Sequence, residues 1–334
     1  VNRSFGKIVQ LVFVMIRAIF LGTAEIACPI VQTLHEMPDV ALLGVISQPD
    51  RPQGRKMKLT PTPIKSIALD LGLEIWQPER LRKDPACMEW IKSLQLDVAI
   101  VMAYGQILPV SVLQMPKFGC LNIHTSLLPK YRGAAPIQWA IWTGDEVTGV
   151  TLMQMDKGMD TGPIVATSQV PITPQTTAPM LHDQLAEAGA DLLKRSLADY
   201  CDGKLAVTPQ PEHGVSHARK IEKQDGAIDW TRSAVELDRQ VRALSPWPGC
   251  FTDVRFSSGG VERLKIKAVQ PLELKAEGFE PGEIVQADKE GLIVKAGHGA
   301  LRLLELQRQG GKAMDAKAFL LGMPLASGDC LMKP

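Results

Sequence analysis

Long hydrophobic runs are scarce in this sequence of 334 residues. One apolar run, from Ile8 to Ile16, follows Arg3 and Lys7 and imitates a secretory leader, but Gln10 interrupts it, Arg17 closes it, and no small-residue cleavage site follows. A bilayer needs about 20 apolar residues, so this run does not span one. Cysteine is sparse too. Cys28, Cys87, Cys120, Cys201, Cys250 and Cys330 never fall at C-x-x-C spacing, which removes the sequence ground for a zinc site. Scattered thiols in a chain this long fit a reducing cytoplasm, with no membrane association. An excess of either charge is also missing, since Lys and Arg total 37 and Asp and Glu total 36. A nucleic-acid partner would therefore be met by a local basic patch and not by net charge. Gly22-Thr23 after the first strand is not a G-x-G-x-x-G fingerprint, and neither a P-loop nor a G-x-S-x-G elbow competes. Internal repeats and low-complexity tracts are absent.

What is present reads as a soluble globular protein, 45% hydrophobic and 22% charged, long enough for two domains. Strand patterns at Ile16 to Leu21, Val40 to Ser47, Asp97 to Ala103, Leu121 to His124 and Val150 to Met155 alternate with helical ones at Pro63 to Leu71 and Thr177 to Cys201. That alternation predicts an α/β fold with a parallel sheet. Thr23 is expected to cap the first helix. In the 177–201 helix, Leu181, Leu185, Leu192, Leu193 and Leu197 are the candidate core positions. Gln48 to Leu59, rich in Pro, Gly and positive charge, reads as a long exposed loop.

The chemistry concentrates in Gly119 to Gly133. Asn122 and His124 are two apart on a strand, so their side chains share a face while Leu121 and Ile123 turn to the core. An amide NH2 and an imidazole aimed at one point suit an oxyanion that develops in acyl transfer. The bland alternative is a turn-capping asparagine and a satisfied core histidine. In the turn-rich Asp156 to Gly162, Asp160 lies beyond a strand end. Beside His124 it would complete an Asn, His, Asp set; the competing reading is a turn or N-cap aspartate. Cys120, with no adjacent base, reads as packing.

The whole window, HTSLLPKYRGAAPIQWAIWTGDEVTGVTLMQMDKGMDTGP, preceded by Asn122, resembles the formyltransferases that use 10-formyltetrahydrofolate. The shared features are N-x-H, S-L-L-P, R-G-A-x-P-I and D-x-G-x-D-T-G in that order. The resemblance begins at Met15, so residues 1–14 are read as an appended or misassigned start. It implies that Asn122, His124 and Asp160 are catalytic. It also implies that Ser126, Leu127, Leu128 and Pro129 line the folate site, with Tyr104 and Gly105 at a neighbouring strand end. No metal is needed. At Ala24, Glu25 and Ile26 the chain departs from the family's Gly-Thr-Pro-Asp-aromatic turn.

After Gly203 the composition changes. Residues 204–223 form a polar linker in which His213 and His217 carry no metal motif. A helix is expected from Ile228 to Leu244, stopped by Pro246. Short runs at Cys250 to Phe256, Leu264 to Val269, Gly282 to Val285, Gly291 to Val294 and Ala300 to Leu306 then predict a small β-barrel. ARKIEKQDGAIDW, Pro246-Trp247-Pro248 and the late leucine-rich run resemble the OB-like domain of the family members that act on methionyl-tRNA. The expected organisation is thus a Rossmann-like formyltransferase domain at 15–203, a linker at 204–223 and an OB-like tRNA-binding domain at 224–334. The implied reaction is transfer of formyl from 10-formyltetrahydrofolate to the amino group of methionyl initiator tRNA by a cytoplasmic monomer. Candidate tRNA contacts are Arg51, Arg55, Lys56 and Lys58 in the basic loop, and Arg263, Lys265 and Lys267, which alternate along a strand. The strand stripe is equally readable as a solvated face; a basic loop is by itself more often a solvated one, and here the resemblance to the family's basic insertion favours contact with tRNA. Within the same chemistry, an amino-sugar nucleotide formyltransferase or a formyltetrahydrofolate hydrolase shares the catalytic window. From another class, a non-catalytic RNA-binding protein on a dead enzyme is the alternative, against which the intact Asn122, His124 and Asp160 argue.

Overall fold

The computed structural model describes residues 15–54, 57–274, 276–326 and 328–334, so the expectation about residues 1–14 lies outside the described residues. The chain forms two compact units. One gathers residues 1–124, 151–168 and 186–210, and the other residues 125–150, 169–185 and 211–334.

The first unit is built on a seven-stranded sheet in the order Ile164–Pro171, Val147–Gln154, Cys120–His124, Val98–Met102, Ile16–Gly22, Val40–Ile46, Ile75–Trp76. From Cys120–His124 to Ile75–Trp76 every pairing is parallel. These parallel strands read as near-continuous apolar runs, and all five residues of Val98–Met102 are buried, as a sheet covered on both faces requires. Val147–Gln154 departs from that pattern by pairing antiparallel with Cys120–His124, Leu121 opposite Gln154 and His124 opposite Thr151. The sheet is therefore Rossmann-like and mostly parallel. In helix Ala178–Cys201 the five leucines expected in the core are all buried.

Three expectations are corrected. Thr23 does not cap the first helical turn, whose N-cap is Ala24 without a side-chain bond. Its hydroxyl instead donates to the Tyr104 carbonyl at 2.9 Å and accepts from the Gln48 N–H at 3.3 Å, tying three strand ends together. The 48–59 segment is not an irregular loop, because Arg51–Gln53 and Lys58–Thr60 pair as an antiparallel hairpin. The helix expected from Ile228 begins at Ala234, where Ser233 and Glu236 form a reciprocal capping box that satisfies two otherwise orphaned N–H groups.

The second unit contains a curled antiparallel sheet in the order Ile284–Asp288, Gly291–Lys295, Ala300–Arg308, Val261–Leu272, Cys250–Arg255, Cys330–Met332. Its two ends meet at a bridge between Glu283 and Cys330, and the Leu331 N–H donates to the Gly282 carbonyl at 2.7 Å. Bringing the edges together leaves few unpaired backbone groups, the solution small OB-like barrels adopt. Inward residues Leu264, Ile266, Ile284, Leu292, Val294, Leu301, Leu303, Leu306 and Leu331 are buried.

Candidate active site

Asn122 and His124 lie on strand Cys120–His124, between Leu121 and Ile123, which are buried in the core. Asn122 is half-buried, and among the described residues its amide makes no side-chain hydrogen bond. His124 is 6% exposed. Cys120, at the start of the strand, is equally hidden, and burial pushes its thiol up to about 12, so it is protonated and inert at neutral pH.

Asp160 reaches this strand by an indirect route. Because Val147–Gln154 runs antiparallel, the loop after Gln154 starts beside Cys120, where the Met155 N–H donates to the Cys120 carbonyl at 2.8 Å. Cys120 and His124 are separated by roughly 13 Å of strand at about 3.3 Å per residue. The loop runs back across that distance and delivers Asp160 Oδ2 to 3.8 Å from His124 Nδ1. That is ion-pair range and longer than a hydrogen bond. The carboxylate is 19% exposed. Its backbone sits at φ 54°, in the left-handed region that aspartate tolerates better than most residues.

The loop is held at several points. Asp156 Oδ1 accepts from the Gly158 N–H at 2.8 Å and from the Thr161 hydroxyl at 2.7 Å. At its base the Gln154 N–H donates to the Pro163 carbonyl at 2.9 Å. A Cβ added to Gly162 would lie 1.8 Å from the Gln154 carbonyl oxygen, so the return of the loop requires glycine there. Gln210 Nε2 donates to the carbonyls of Asp160 and Gly162, at 2.8 and 2.7 Å.

At the carboxyl end of the neighbouring parallel strand, Tyr104 turns its ring inward. It is 2% exposed, its hydroxyl is without a hydrogen-bond partner among the described residues, and burial, with Cys87 nearby, raises its pKa. Its carbonyl, not its ring, serves the strand ends, accepting from Thr23 Oγ1 and from Gln48 Nε2, each at 2.9 Å. Gly105 follows at φ 77°, with Gln48 Nε2 only 2.4 Å from where a Cβ would stand. In the second unit, Ser126 and Leu128 are buried, and the Ser126 hydroxyl donates to the Lys130 carbonyl at 2.6 Å. Leu127 and Pro129 flank them in the same turn.

Of the basic candidates, Arg51 and Lys58 stand exposed on the hairpin, and Arg55 and Lys56 lie outside the described residues. Arg51 Nη2 lies 3.5 Å from Gln48 Oε1. In the second unit Arg263 and Lys265 are exposed, Lys267 half-buried. Arg263 is already engaged, with Nε and Nη2 donating to both oxygens of Asp253 at 2.8 and 3.1 Å and its guanidinium 4.9 Å from the Phe251 ring centre. A register shift between Ile266 and Ala268 takes Lys267 out of the regular ladder, so the three cations do not form one even row.

The structure thus brings an imidazole and a carboxylate together beside a strand that also carries an amide. Residues 16–197 match the formyl transferase family, and residues 220–324 match the formyl transferase C-terminal domain. The chain belongs to the formyl transferase family. It is 46% identical to the methionyl-tRNA formyltransferase of Burkholderia multivorans, over 96% of this chain and 98% of that one. It is 43% identical to that of Trichlorobacter lovleyi, over 95% and 97%. The N-formyltransferase of Helicobacter canadensis, solved with folinic acid and dTDP-3-aminofucose, shares the fold with a TM-score of 0.63 at 18% identity, over 86% of this chain and 99% of that one.

Sequence reasoning missed the residues that hold the formyl transferase loop, Gln210 foremost. A signal was there in Thr208-Pro209-Gln210-Pro211, where two prolines surround a single side chain able to donate. Among the described residues no helix is long and apolar enough to cross a membrane.

Proposed function

We propose that this chain transfers the formyl group of 10-formyltetrahydrofolate to the free amino group of methionyl initiator tRNA, acting as a cytoplasmic monomer. The observation that carries the reading is the approach of Asp160 to His124 at 3.8 Å, two residues along the strand from the Asn122 amide. Identity above 40% to methionyl-tRNA formyltransferases along nearly the whole chain favours methionyl-tRNA as acceptor over a sugar nucleotide.

In this mechanism the amine nitrogen attacks the formyl carbon and a new C–N bond forms. The carbonyl oxygen takes up negative charge and accepts from the Asn122 NH2 and the His124 ring. Asp160 orients that ring. The bond from the formyl carbon to the folate nitrogen then breaks, and the proton lost by the amine passes to that nitrogen through the His124 and Asp160 pair. Donors prearranged for the oxyanion act in a water-poor site, where they are each worth about 2.7–4 kcal/mol. Tyr104, Gly105 and Ser126 to Pro129 are the proposed folate contacts, through apolar walls and backbone polar groups. Arg51, Lys58, Lys265 and Lys267 are the proposed contacts to tRNA phosphates, with Arg263 a weaker one because Asp253 already neutralises it.

The test is transfer of labelled formyl from 10-formyltetrahydrofolate to charged initiator tRNA, run beside free methionine, amino-sugar nucleotides and water. Label on methionyl-tRNA alone is expected. Label on a sugar, or free formate without an acceptor, transfers the assignment to another branch of the chemistry.

A further inference from the structure

We propose that Gln210 is a positioning residue that sets the carboxylate of Asp160 against His124. The inference rests on the reading of Asp160 as a reacting group. Thr208 and Ile164 exchange both backbone hydrogen bonds, at 2.7 and 2.9 Å, as an isolated antiparallel bridge. Continuing that register by two residues in each direction brings Gln210 opposite Gly162. There the side chain of Gln210 reaches the loop. Both of its partners are carbonyls, so the end facing the loop is the NH2, whose two protons go to the Asp160 and Gly162 oxygens at 2.8 and 2.7 Å.

One of these two carbonyls belongs to Asp160 itself, and the other lies two residues further along the loop. Asp160 is held in the left-handed region, which an isolated loop would leave readily, and its carboxylate must stay near His124. Thr161 is fastened separately by Asp156, and Gly162 is pressed against the Gln154 carbonyl. Gln210 acts on the peptide of Asp160 itself. It is also the last residue of its unit before the chain passes to the C-terminal portion at Pro211.

The experiment compares Gln210→Met and the isosteric Gln210→Glu, neither of which supplies the paired donors at neutral pH, with wild type and Asp160→Asn. Single-turnover formyl transfer is measured with both substrates saturating, together with KM for each. A misplacement of the carboxylate by about 1 Å lowers kcat by roughly 10- to 100-fold while KM stays within about twofold. In the Asp160→Asn background the same Gln210 substitutions are expected to cost less than about twofold, because there is no carboxylate left to position. Thermal melting checks that the variants are folded, and Gln210→Glu serves if Gln210→Met is not. A kcat within twofold of wild type in a Gln210 variant, with Asp160→Asn inactive, overturns the inference alone. An undiminished penalty in the Asp160→Asn background overturns it too, since Gln210 would then act on the fold and not on Asp160. Full turnover in Asp160→Asn by itself overturns the parent reading, and this inference with it.

Discussion

The 155–162 loop and the 51–60 hairpin both leave strands of the same sheet, and they are built in different ways. The loop leaves Met159 67% exposed, much as the hairpin leaves Met57, but side chains of Asp156 and Gln210 secure its backbone. The hairpin runs outward and shows solvent its apolar side chains, with Met57 68% and Leu59 62% exposed. Side chains fasten its base. Lys65 Nζ lies 2.6 Å from Asp50 Oδ2, and Gln77 Nε2 donates to Asp50 Oδ1 at 2.7 Å and to the Gln48 carbonyl at 2.9 Å. The difference separates two tasks. A reacting carboxylate has to be right to a fraction of an ångström, so its loop is over-determined. On the proposed assignment, the hairpin meets a large polyanion, which asks for reach and charge.

The largest effects should come from the held side. Asn122→Ala, His124→Ala and Asp160→Ala are each expected to lower formyl transfer by roughly 10²–10³ while the protein remains folded. Because the three act as a unit, the double variant Asn122→Ala with His124→Ala should fall well short of the product of the single losses. Turnover near wild type in a folded double variant would remove the catalytic assignment. On the same loop, Gly162→Ala drives a Cβ onto the Gln154 carbonyl. Circular dichroism and transfer assays should show a folded protein whose rate loss approaches that of Asp160→Ala. An active Gly162→Ala would mean that the loop accommodates displacement, and the contrast with the hairpin would break.

How far the sequence discloses this site depends on how local the signal is. The pairing of Asn122 with His124 is legible because period-two alternation is a property of the strand itself. The five buried leucines of helix Ala178–Cys201 are legible because the 3.6-residue period is likewise a property of the helix itself. Asp160 is legible only through its motif, since nothing in its spacing says that its strand runs antiparallel and that the loop must double back. Gln210 stands out in the sequence only as a polar side chain between two prolines, and its role depends on the register between Thr208 and Ile164, which is a tertiary fact. The hairpin was hidden behind its Pro, Gly and Lys content, which favours loops when the pairing partner is unknown. Ser233 and Glu236 form a capping box that the sequence does spell out, and the apolar Ile228 and Trp230 drew the expected helix start too early.

On the outward side, Arg51→Ala is expected to reduce kcat/KM for methionyl-tRNA about tenfold, the worth of one charged contact, and to leave folate binding unchanged. The base of the hairpin offers a finer probe. Hydrogen bonds from Gln77 and then Lys65 hold the Asp50 carboxyl below its ordinary value. A depressed folded value means that its contribution is complete above about 4, the unfolded value, and is lost as the pH falls through the lower folded one. Asp50→Asn should therefore mimic at neutral pH what acid does to the wild type, with faster proteolysis within residues 51–60 and an unaltered global melting temperature. Proteolysis unchanged by Asp50→Asn would show that hairpin pairing alone sets the geometry.

The smallest effect is expected from the cations of the C-terminal sheet, and it sharpens the question of how widely recognition is spread. If Arg263, Lys265 and Lys267 each met one phosphate, neutralising all three would lower the slope of log K against log salt by about three counterions' worth, close to 0.7–0.9 per contact. The ion pair of Arg263 with Asp253 argues for less. Its guanidinium is already spent on both carboxylate oxygens, so binding RNA there means sharing or breaking an existing pair. The triple variant is therefore expected to shift the slope by about two contacts, and Arg263→Gln alone to shift it barely at all. Asp253→Asn releases the arginine, and it should strengthen tRNA binding at low salt and steepen the slope by about one contact. A slope unchanged in the triple variant would mean that this strand is a solvated face and that the hairpin carries the recognition by itself. A full three-contact change, with Asp253→Asn indifferent, would mean that the ion pair opens freely when RNA arrives.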